Sequence, residues 1–318
     1  MEMRQVRVER YGPPDSVVVV DAPVPRPGRG EVVVRVEAAG VNSGDARMRA
    51  GRFPPGFGLL ARLAIGLRGP RARVLGGTFS GVVAQVGDGV HEFGLGDEVA
   101  GMTGVRMGCH AEFVVVPAVT AVRKPALLSH PDAAGVLFGG TAALHFLRDR
   151  AAMQPGATVL VNGASGSVGS AAVQIATILG GTVTAACSAA NRDLVRRLGA
   201  QRCIDYTTTP VAEIGERFDV VFDAVGNLSR ADGLRLRAPG GALVLAVAGL
   251  LDTIRGGRGV YAGPASEQVE NVAELLGWAA DQRLDPVVTV VGQLSALPEA
   301  YRRIDGGRKV GNLVVLPA

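Results

Sequence analysis

The chain has few of the residues that build metal centres, disulfides or Schiff bases. It contains three cysteines, four histidines and two lysines among 318 residues. The cysteines are widely separated and odd in number, which argues against a disulfide framework and leads us to expect a cytoplasmic protein. They also lack the spacing of metal ligands, so we predict that no metal is bound. With so few lysines, covalent catalysis through a Schiff base has little support.

Long apolar runs and dense basic runs are absent as well. No continuous hydrophobic stretch reaches the roughly 18 residues that a membrane span needs. Residues 1–12 lack the apolar segment of a signal peptide. The net charge of +4 comes from dispersed arginines, so we expect neither a membrane nor a nucleic-acid partner. The length suggests about two globular domains.

A glycine-rich turn between an apolar run and a helical pattern is the most informative motif. Residues 158–161 are apolar and β-branched, as in a buried strand, and residues 167–179 place apolar side chains on one helical face. Glycines three residues apart allow a sharp turn and let a pyrophosphate approach the positive end of the helix. The residues expected to bind it are Gly163, Ala164, Ser165, Gly166, Ser167, Val168 and Gly169.

Two different patterns divide the chain. Short strands with glycine turns fill its first part, which is typical of an irregular β domain. Later, strands alternate with helices, which predicts an α/β fold with a doubly wound parallel sheet. The strands predicted for this sheet are residues 158–161, 182–186, 202–205, 218–223 and, closing the series, 242–248. A late helix is predicted over 266–281, and a terminal strand over 313–316 is expected to return to the first domain.

Seven short segments occur in the order found in a known enzyme family. They are residues 39–45, 76–81, 93–99, 111–113, 140–142, 163–169 and 204–206. Together they resemble the zinc-free medium-chain dehydrogenase/reductases, the group of quinone oxidoreductases, zeta-crystallin and enoyl-thioester reductases. The resemblance implies a GroES-like β-rich catalytic domain over 1–122, completed by 265–318, and a Rossmann NADPH-binding domain over 123–264. It also implies dimers or higher oligomers, and we expect a homodimer.

The positions that hold catalytic zinc in related alcohol dehydrogenases carry other residues here. The resemblance places Asn42 at one cysteine position, Gly77 and Thr78 at a His-Glu pair, and Leu137 near a second cysteine. These side chains do not provide the thiolates and imidazole that zinc prefers. Without a Lewis acid, alcohol oxidation is disfavoured, whereas reduction of an electrophilic carbon needs only orientation and a polarised carbonyl.

The end of the second predicted Rossmann strand favours NADPH over NADH. A strand that binds NAD usually ends in a carboxylate, but residues 185–192 contain none. Ser188 can donate a hydrogen bond, and Arg192 can pair with a 2′-phosphate. Tyr206 matches a position that lies near this phosphate or the adenine in related quinone reductases. Alternatively, Arg192 is a solvated helix residue and Tyr206 an ordinary strand end.

Three residues are the candidate catalytic groups. Asn42 offers an amide donor that could polarise a substrate carbonyl. Asp45 either orients Asn42 or caps the short helix that follows. Thr141 is expected to touch the nicotinamide through its hydroxyl, or to cap a helix. Further cofactor contacts are expected from Ala224, Val225, Asn227 and Asn312.

One residue departs from the family pattern. Many relatives carry a tyrosine, proposed as proton donor, where this chain has Phe53, and a phenyl ring has no acidic proton. Water, Thr78, His110 or the substrate itself must then supply any proton. His110 is more simply interpreted as structural.

Residues 54–73 are the least family-like stretch, mixing leucines with arginines. They form either a mobile lid that gives the pocket an apolar wall and an anion-attracting rim, or a solvated surface helix with a packed apolar side.

The favoured function is an NADPH-dependent reductase of a small quinone or α,β-unsaturated carbonyl compound. An enoyl-thioester reductase acting on a CoA- or carrier-linked acyl chain is the second interpretation. A non-enzymatic NADPH-binding protein is the third, because the family tyrosine is missing.

Overall fold

Two large sheets, built from different sequence patterns, form the core. The computed structural model describes residues 1–317. The strands are β1 (Glu2–Val8), β2 (Val17–Pro23), β3 (Glu31–Val41), β4 (Thr78–Val86), β5 (Glu98–Met102), β6 (Phe113–Pro117), β7 (Ala121–Arg123), β8 (Thr158–Asn162), β9 (Thr182–Cys187), β10 (Arg202–Asp205), β11 (Phe218–Asp223), β12 (Arg237–Leu245), β13 (Val260–Ala262), β14 (Val288–Gly292) and β15 (Asn312–Val315). The α-helices are α1 (Ser43–Ala50), α2 (Gly58–Ile65), α3 (His130–Leu144), α4 (Ser167–Ile178), α5 (Arg192–Arg197), α6 (Arg230–Leu236), α7 (Leu250–Arg255), α8 (Val269–Ala280) and α9 (Leu297–Asp305). Within this described part, none of the helices is long and apolar enough to span a bilayer.

The second half of the chain forms a parallel sheet of six strands. Their order is β10-β9-β8-β11-β12-β13, the arrangement of a Rossmann domain. Central strand β8 is apolar throughout its middle because helices cover both faces, and Val159 and Val161 are fully buried. The predicted parallel sheet is confirmed, but the prediction that it closes at residues 242–248 is wrong. Strand β13 adds a sixth member, and its three residues are too short to give a periodic signal.

The N-terminal sheet is mainly antiparallel and GroES-like. Its order is β14-β15-β3-β4-β5-β7, with β6 also paired to β3. Terminal strand β15 pairs antiparallel with β3, so that Leu313 lies opposite Val41. This confirms that the C-terminal strand returns to the first domain. The sequence predicted neither β14 nor its parallel pairing with β15, because much of this short strand is partly exposed.

Residues 265–318 contribute to both cores. Helix α8 packs against α3, and Leu275 and Leu276 share one buried cluster with Val159 of the Rossmann sheet. By contrast, β14, β15 and α9 complete the N-terminal sheet and its hydrophobic cluster. The predicted domain limits stay a prediction.

A fully buried arginine joins the first helix of the N-terminal domain to the last. Arg49 Nη2 lies 2.6 Å from Asp305 Oδ2, and Nη1 donates to the carbonyl of Gly12. The guanidinium carbon lies 5.1 Å from the centroid of the Tyr301 ring. These partners compensate the burial of the charge and hold α1 against α9.

We expect Arg49→Met to lower the free energy of unfolding by about 3 kcal/mol, because it leaves the Gly12 carbonyl and Asp305 without their buried partner. Arg52 is the matched control, since its Nη2 lies 2.9 Å from the same Asp305 oxygen but its side chain is 65% exposed. Arg52→Met should cost about 0.5 kcal/mol. Urea unfolding followed by circular dichroism measures both, and equal losses would contradict the assignment.

Candidate active site

The glycine-rich turn forms an open cradle at the start of α4. Gly163 has φ of +77°, and a Cβ on Gly169 would lie 2.0 Å from the Gly163 carbonyl oxygen. At Gly166 the nearest atom to such a Cβ is 3.5 Å away, so this side of the turn is open. No side chain caps the helix that begins at Ser167. The free amide groups and the open face therefore suit an anionic pyrophosphate.

The C-terminal segment closes on this turn from the other domain. The amide of Gly311 donates to the Ser165 carbonyl at 2.9 Å. Ser167 Oγ donates to Asn312 Oδ1 at 2.5 Å, and Asn312 Nδ2 donates to the Pro286 carbonyl at 2.7 Å. Asn312, predicted to contact the cofactor, thus uses its side chain to join the domains beside the cradle.

A polar cluster lies at the carboxyl end of β9. Asn191 Nδ2 donates to Ser165 Oγ at 3.0 Å and to Ser188 Oγ at 3.3 Å. Arg192 is exposed at the start of α5, and Tyr206, 48% exposed, donates its amide to the Cys187 carbonyl. The structure therefore brings Ser188, Arg192 and Tyr206 to the same edge of the sheet as the glycine turn. Sequence analysis missed Asn191, whose signal was its position between a strand end and a helix start.

A buried carboxylate shapes the loop after β11. Asp223 is fully buried, and its carboxylate accepts from the amides of Val225 and Gly226 at 3.0 and 3.1 Å. Asn162 Nδ2 donates to Asp223 Oδ1 at 2.8 Å and to Asn227 Oδ1 at 2.7 Å. This network fixes the loop of Ala224, Val225 and Asn227 beside the glycine turn.

Neither Asn162 nor Asp223 was predicted. The available signal was a polar residue at the end of each buried parallel strand, where ligands bind in open α/β sheets.

Asn42 and Asp45 cap α1 reciprocally. Asn42 Oδ1 accepts from the amides of Gly44 and Asp45 at 2.7 and 3.1 Å, and Asp45 Oδ2 accepts from the Asn42 amide at 2.9 Å. Asp45 Oδ1 also accepts from the Gly76 amide at 3.2 Å. Burial raises the pKa of Asp45, while His110 and these hydrogen bonds oppose the rise. The Nδ2 donor of Asn42 has no acceptor within residues 1–317 and is the group left for a ligand.

Thr141 lies inside α3 and caps nothing. Its hydroxyl is buried and donates to Met102 Sδ at 3.4 Å, whereas Ser129 caps the helix by accepting from the Asp132 amide. The alternative of helix capping by Thr141 is therefore wrong.

The histidine near the site is neutral and held by the fold. Fully buried His110 has Nε2 3.1 Å from the Gly40 carbonyl and Nδ1 3.4 Å from the Tyr301 hydroxyl. Burial lowers the pKa of His110, and Asp45 opposes this. Beside it, burial raises the pKa of the Cys109 thiol to about 12, which excludes a thiolate at neutral pH.

A lysine that sequence analysis did not select lies near the capped carboxylate. Lys309 Nζ donates to the Gly311 carbonyl at 2.7 Å. Burial lowers its pKa to about 8, and the charge of Asp45 acts in the opposite direction. Its proximity to Asp45 is a tertiary effect, since 264 residues separate them, and no local pattern could reveal it.

Comparisons with known proteins agree with this geometry. The family model of an alcohol dehydrogenase GroES-like domain matches residues 28–126, and that of a zinc-binding dehydrogenase matches residues 198–315. The mitochondrial NAD(P)H oxidoreductase RTN4IP1 of Danio rerio is 30% identical over 328 residues, covering 90% of this chain and 83% of that protein. The chain belongs to the medium-chain dehydrogenase/reductase superfamily, in its quinone oxidoreductase group.

Two further proteins are similar to this chain. The structure of the quinone oxidoreductase from Coxiella burnetii superposes with a TM-score of 0.88 at 28% identity, covering 100% of both chains. A mycocerosic acid synthase-like polyketide synthase of Mycobacterium tuberculosis is 35% identical over 225 residues, which is 69% of this chain. The chain spans only 10% of the length of that synthase. The superfamily fold implies a nicotinamide cofactor, and the open cradle at Gly166 fits one.

Zinc, which the name of one matching family implies, does not fit the corresponding residues. Asn42 Oδ1 is occupied by helix capping, Gly77 has no side chain, and Leu137 is fully buried in the core. Thr78 provides only a hydroxyl, which is buried without a hydrogen-bond partner in the described chain. No cluster of three or more histidine, cysteine or acidic side chains able to hold a metal occurs across residues 1–317.

The cleft between the domains provides room for a ligand. A cavity of about 730 Å³ runs from α1 to the loop after β11, and its lining includes Ser43, Arg47 and Asn227. Its volume is in the range of small-molecule sites. It places the neighbour of Asn42 and the loop fixed by Asp223 on opposite walls of one space.

Two substitutions in the turn separate packing from ligand binding. Gly169→Ala should prevent normal folding, because its methyl group would meet backbone at 2.0 Å. Gly166→Ala should fold, with a melting temperature within about 2 °C of wild type, and bind NADPH and NADH at least tenfold more weakly. Circular dichroism and calorimetry measure these effects, and undiminished nucleotide affinity in Gly166→Ala would contradict the site.

Proposed function

We propose that the protein is an NADPH-dependent, zinc-independent reductase that transfers hydride to a quinone or an α,β-unsaturated carbonyl compound. The observation that carries the proposal is an open glycine cradle at the start of α4 together with a free Nδ2 donor on Asn42, whose neighbour Ser43 lines the cleft between the domains. When bound, the reduced nicotinamide would supply the hydride. The likeness to a Coxiella burnetii quinone oxidoreductase supports this substrate class.

Within the cleft, Asn42 Nδ2 would donate to the substrate oxygen and stabilise the charge that develops there. The main-chain amides of Gly44 and Asp45 donate to Asn42 Oδ1 and orient this side chain, while the Asp45 carboxylate holds the Asn42 main chain, so Asp45 is a positioning residue. His110 is neutral and engaged by Gly40 and Tyr301. We therefore propose that solvent supplies the proton that completes the reduction.

The preference for NADPH rests on the polar cluster after β9. This strand ends at Cys187 and is followed by Ser188, with no carboxylate to pair with the ribose hydroxyls of NAD. Ser188, Asn191 and exposed Arg192 offer hydrogen bonds and one cation to a 2′-phosphate. We also propose that the enzyme is a cytoplasmic homodimer. Analytical ultracentrifugation would test the assembly by measuring its mass.

An enoyl-thioester reductase is the second candidate. The 35% identity to a segment of a polyketide synthase favours it. The thioester substrate would also present an α,β-unsaturated carbonyl, so the same donor at Asn42 would serve both reactions.

Consumption of NADPH with a panel of acceptors tests the reaction. We expect turnover with a benzoquinone, a simple enone and crotonyl-CoA, unchanged by EDTA, and less than stoichiometric zinc by elemental analysis. Asn42→Ala should lower kcat/KM about a hundredfold, as loss of an oxyanion donor does. NADPH binding without consumption across the panel would favour the non-enzymatic interpretation.

Arg192→Ala tests the nucleotide preference. Loss of its charge-assisted contact should weaken NADPH binding about tenfold and leave NADH binding unchanged. Arg196→Ala, one turn further along the same exposed helix, is the control and should change neither affinity. An unaltered ratio of the two affinities in Arg192→Ala would refute the assignment.

A further inference from the structure

A second, mainly apolar cavity of about 390 Å³ lies beneath α2. One of its walls is the helix itself, through Phe57, Ala61 and Ile65. The other wall is formed by residues 246–248, which follow the carboxyl end of β12 in the Rossmann sheet. The cavity therefore lies between the two domains.

The sequence of α2 explains why this wall exists. Phe57, Ala61 and Ile65 are four residues apart and share one helical face, which points inward. The intervening leucines point outward, and Leu59 is 73% exposed. The segment is tied down by Leu250, whose amide donates to the Pro55 carbonyl at 2.8 Å. Helix α2 therefore has the form of the predicted surface helix with a packed apolar side, and the lid stays a prediction.

The cavity adjoins the main cleft. Arg47, Phe53, Val247 and Ala248 line both spaces. Arg47 is partly buried and forms no salt bridge within residues 1–317. Beyond Arg47 the lining of the second cavity is mainly apolar, which favours hydrocarbon there.

We propose that this cavity binds the unbranched aliphatic tail of the acceptor, which extends beyond the β-carbon of an α,β-unsaturated carbonyl compound. The inference rests on the proposed function and narrows its substrate class to amphipathic acceptors. A small quinone fits in the 730 Å³ cleft alone and leaves the second space unused. Free enones and acyl thioesters share the tail, and the tail is the feature recognised.

Chain length in the acceptor provides the test. 3-Octen-2-one carries three more methylenes beyond its β-carbon than 3-penten-2-one. Full burial would raise kcat/KM about fourfold per methylene, and we expect an advantage of at least tenfold for the longer enone. Among thioesters, 2-heptenoyl-CoA carries the same three additional methylenes relative to crotonyl-CoA. Its kcat/KM should exceed that of crotonyl-CoA by at least tenfold as well. Equal kcat/KM for both enones would overturn the proposal.

Ala61→Phe fills the cavity and is expected to reduce the advantage to below threefold, while turnover of 3-penten-2-one and NADPH affinity stay within twofold. Ala64→Phe is the matched control, because Ala64 lies on the exposed face of the same helix. It should keep the full advantage. Ile65→Ala enlarges the cavity and should shift the preference to acceptors with longer tails. This second variant keeps the test valid if Ala61→Phe does not fold. A full advantage retained in Ala61→Phe would also overturn the proposal.

Saturated ketones separate failure of the cavity from failure of the proposed reaction. 2-Pentanone and 2-octanone have no conjugated double bond, and calorimetry measures their binding to the NADP⁺-loaded protein without turnover. Tighter binding of 2-octanone, abolished by Ala61→Phe, would support the cavity even where no acceptor consumes NADPH. Equal binding of the two ketones would reject it whatever the reaction.

Discussion

Three consecutive residues near the C-terminus determine how the two halves of the cleft meet. Leu313 pairs with Val41, the last residue of the strand that precedes Asn42. Asn312 accepts from Ser167 at the start of α4, and Gly311 donates to Ser165 in the glycine turn. The amide that would polarise a substrate and the turn that would hold a pyrophosphate are thus set against each other through one short stretch of backbone. Reactions that depend on orientation need this kind of rigid connection.

Two carboxylates of the site, Asp45 and Asp223, accept hydrogen bonds from main-chain amides and so have a structural role. Asp45 caps α1 and Asp223 gathers the amides of the loop after β11. Both are fully buried, so their hydrogen bonds offset the cost of removing them from water. The lining of the 730 Å³ cleft includes Asn227, Arg47 and Arg52, together with two further carboxylates, Asp252 and Asp305. An asparagine amide can polarise a carbonyl and arginines can bind phosphate, as the proposed transfer to an already electrophilic carbon would require.

The local sequence pattern was sufficient to predict an element wherever the residues of that one segment determine its structure. The turn between β8 and α4 was predicted because its glycines lie between an apolar run and an amphipathic helix, and β10 and β11 were predicted with their observed ends. Prediction failed where the cause lies elsewhere in the chain. Strand β13 is too short to show a period, and the packing of α8 on α3 depends on helices more than a hundred residues apart. Whether Asp45 caps a helix was likewise undecidable until its distances to the Asn42 and Gly76 amides were known.

Phe53 affects both the supply of a proton and the apolar lining of the two cavities. The loss of a phenolic hydroxyl there removes a proton donor, yet the ring that remains packs edge-on to Tyr11 at 6.4 Å between centroids and lines both cavities. A phenol at the same place would put a polar hydroxyl at the junction with an apolar space, where an unsatisfied group is costly. Compared with the tyrosine of many relatives, Phe53 therefore extends the hydrophobic surface from the cleft towards α2 but provides no acidic hydroxyl. Because the proposed reduction would take its proton from solvent, a phenyl ring at this position would change which acceptors bind more than whether hydride transfer occurs.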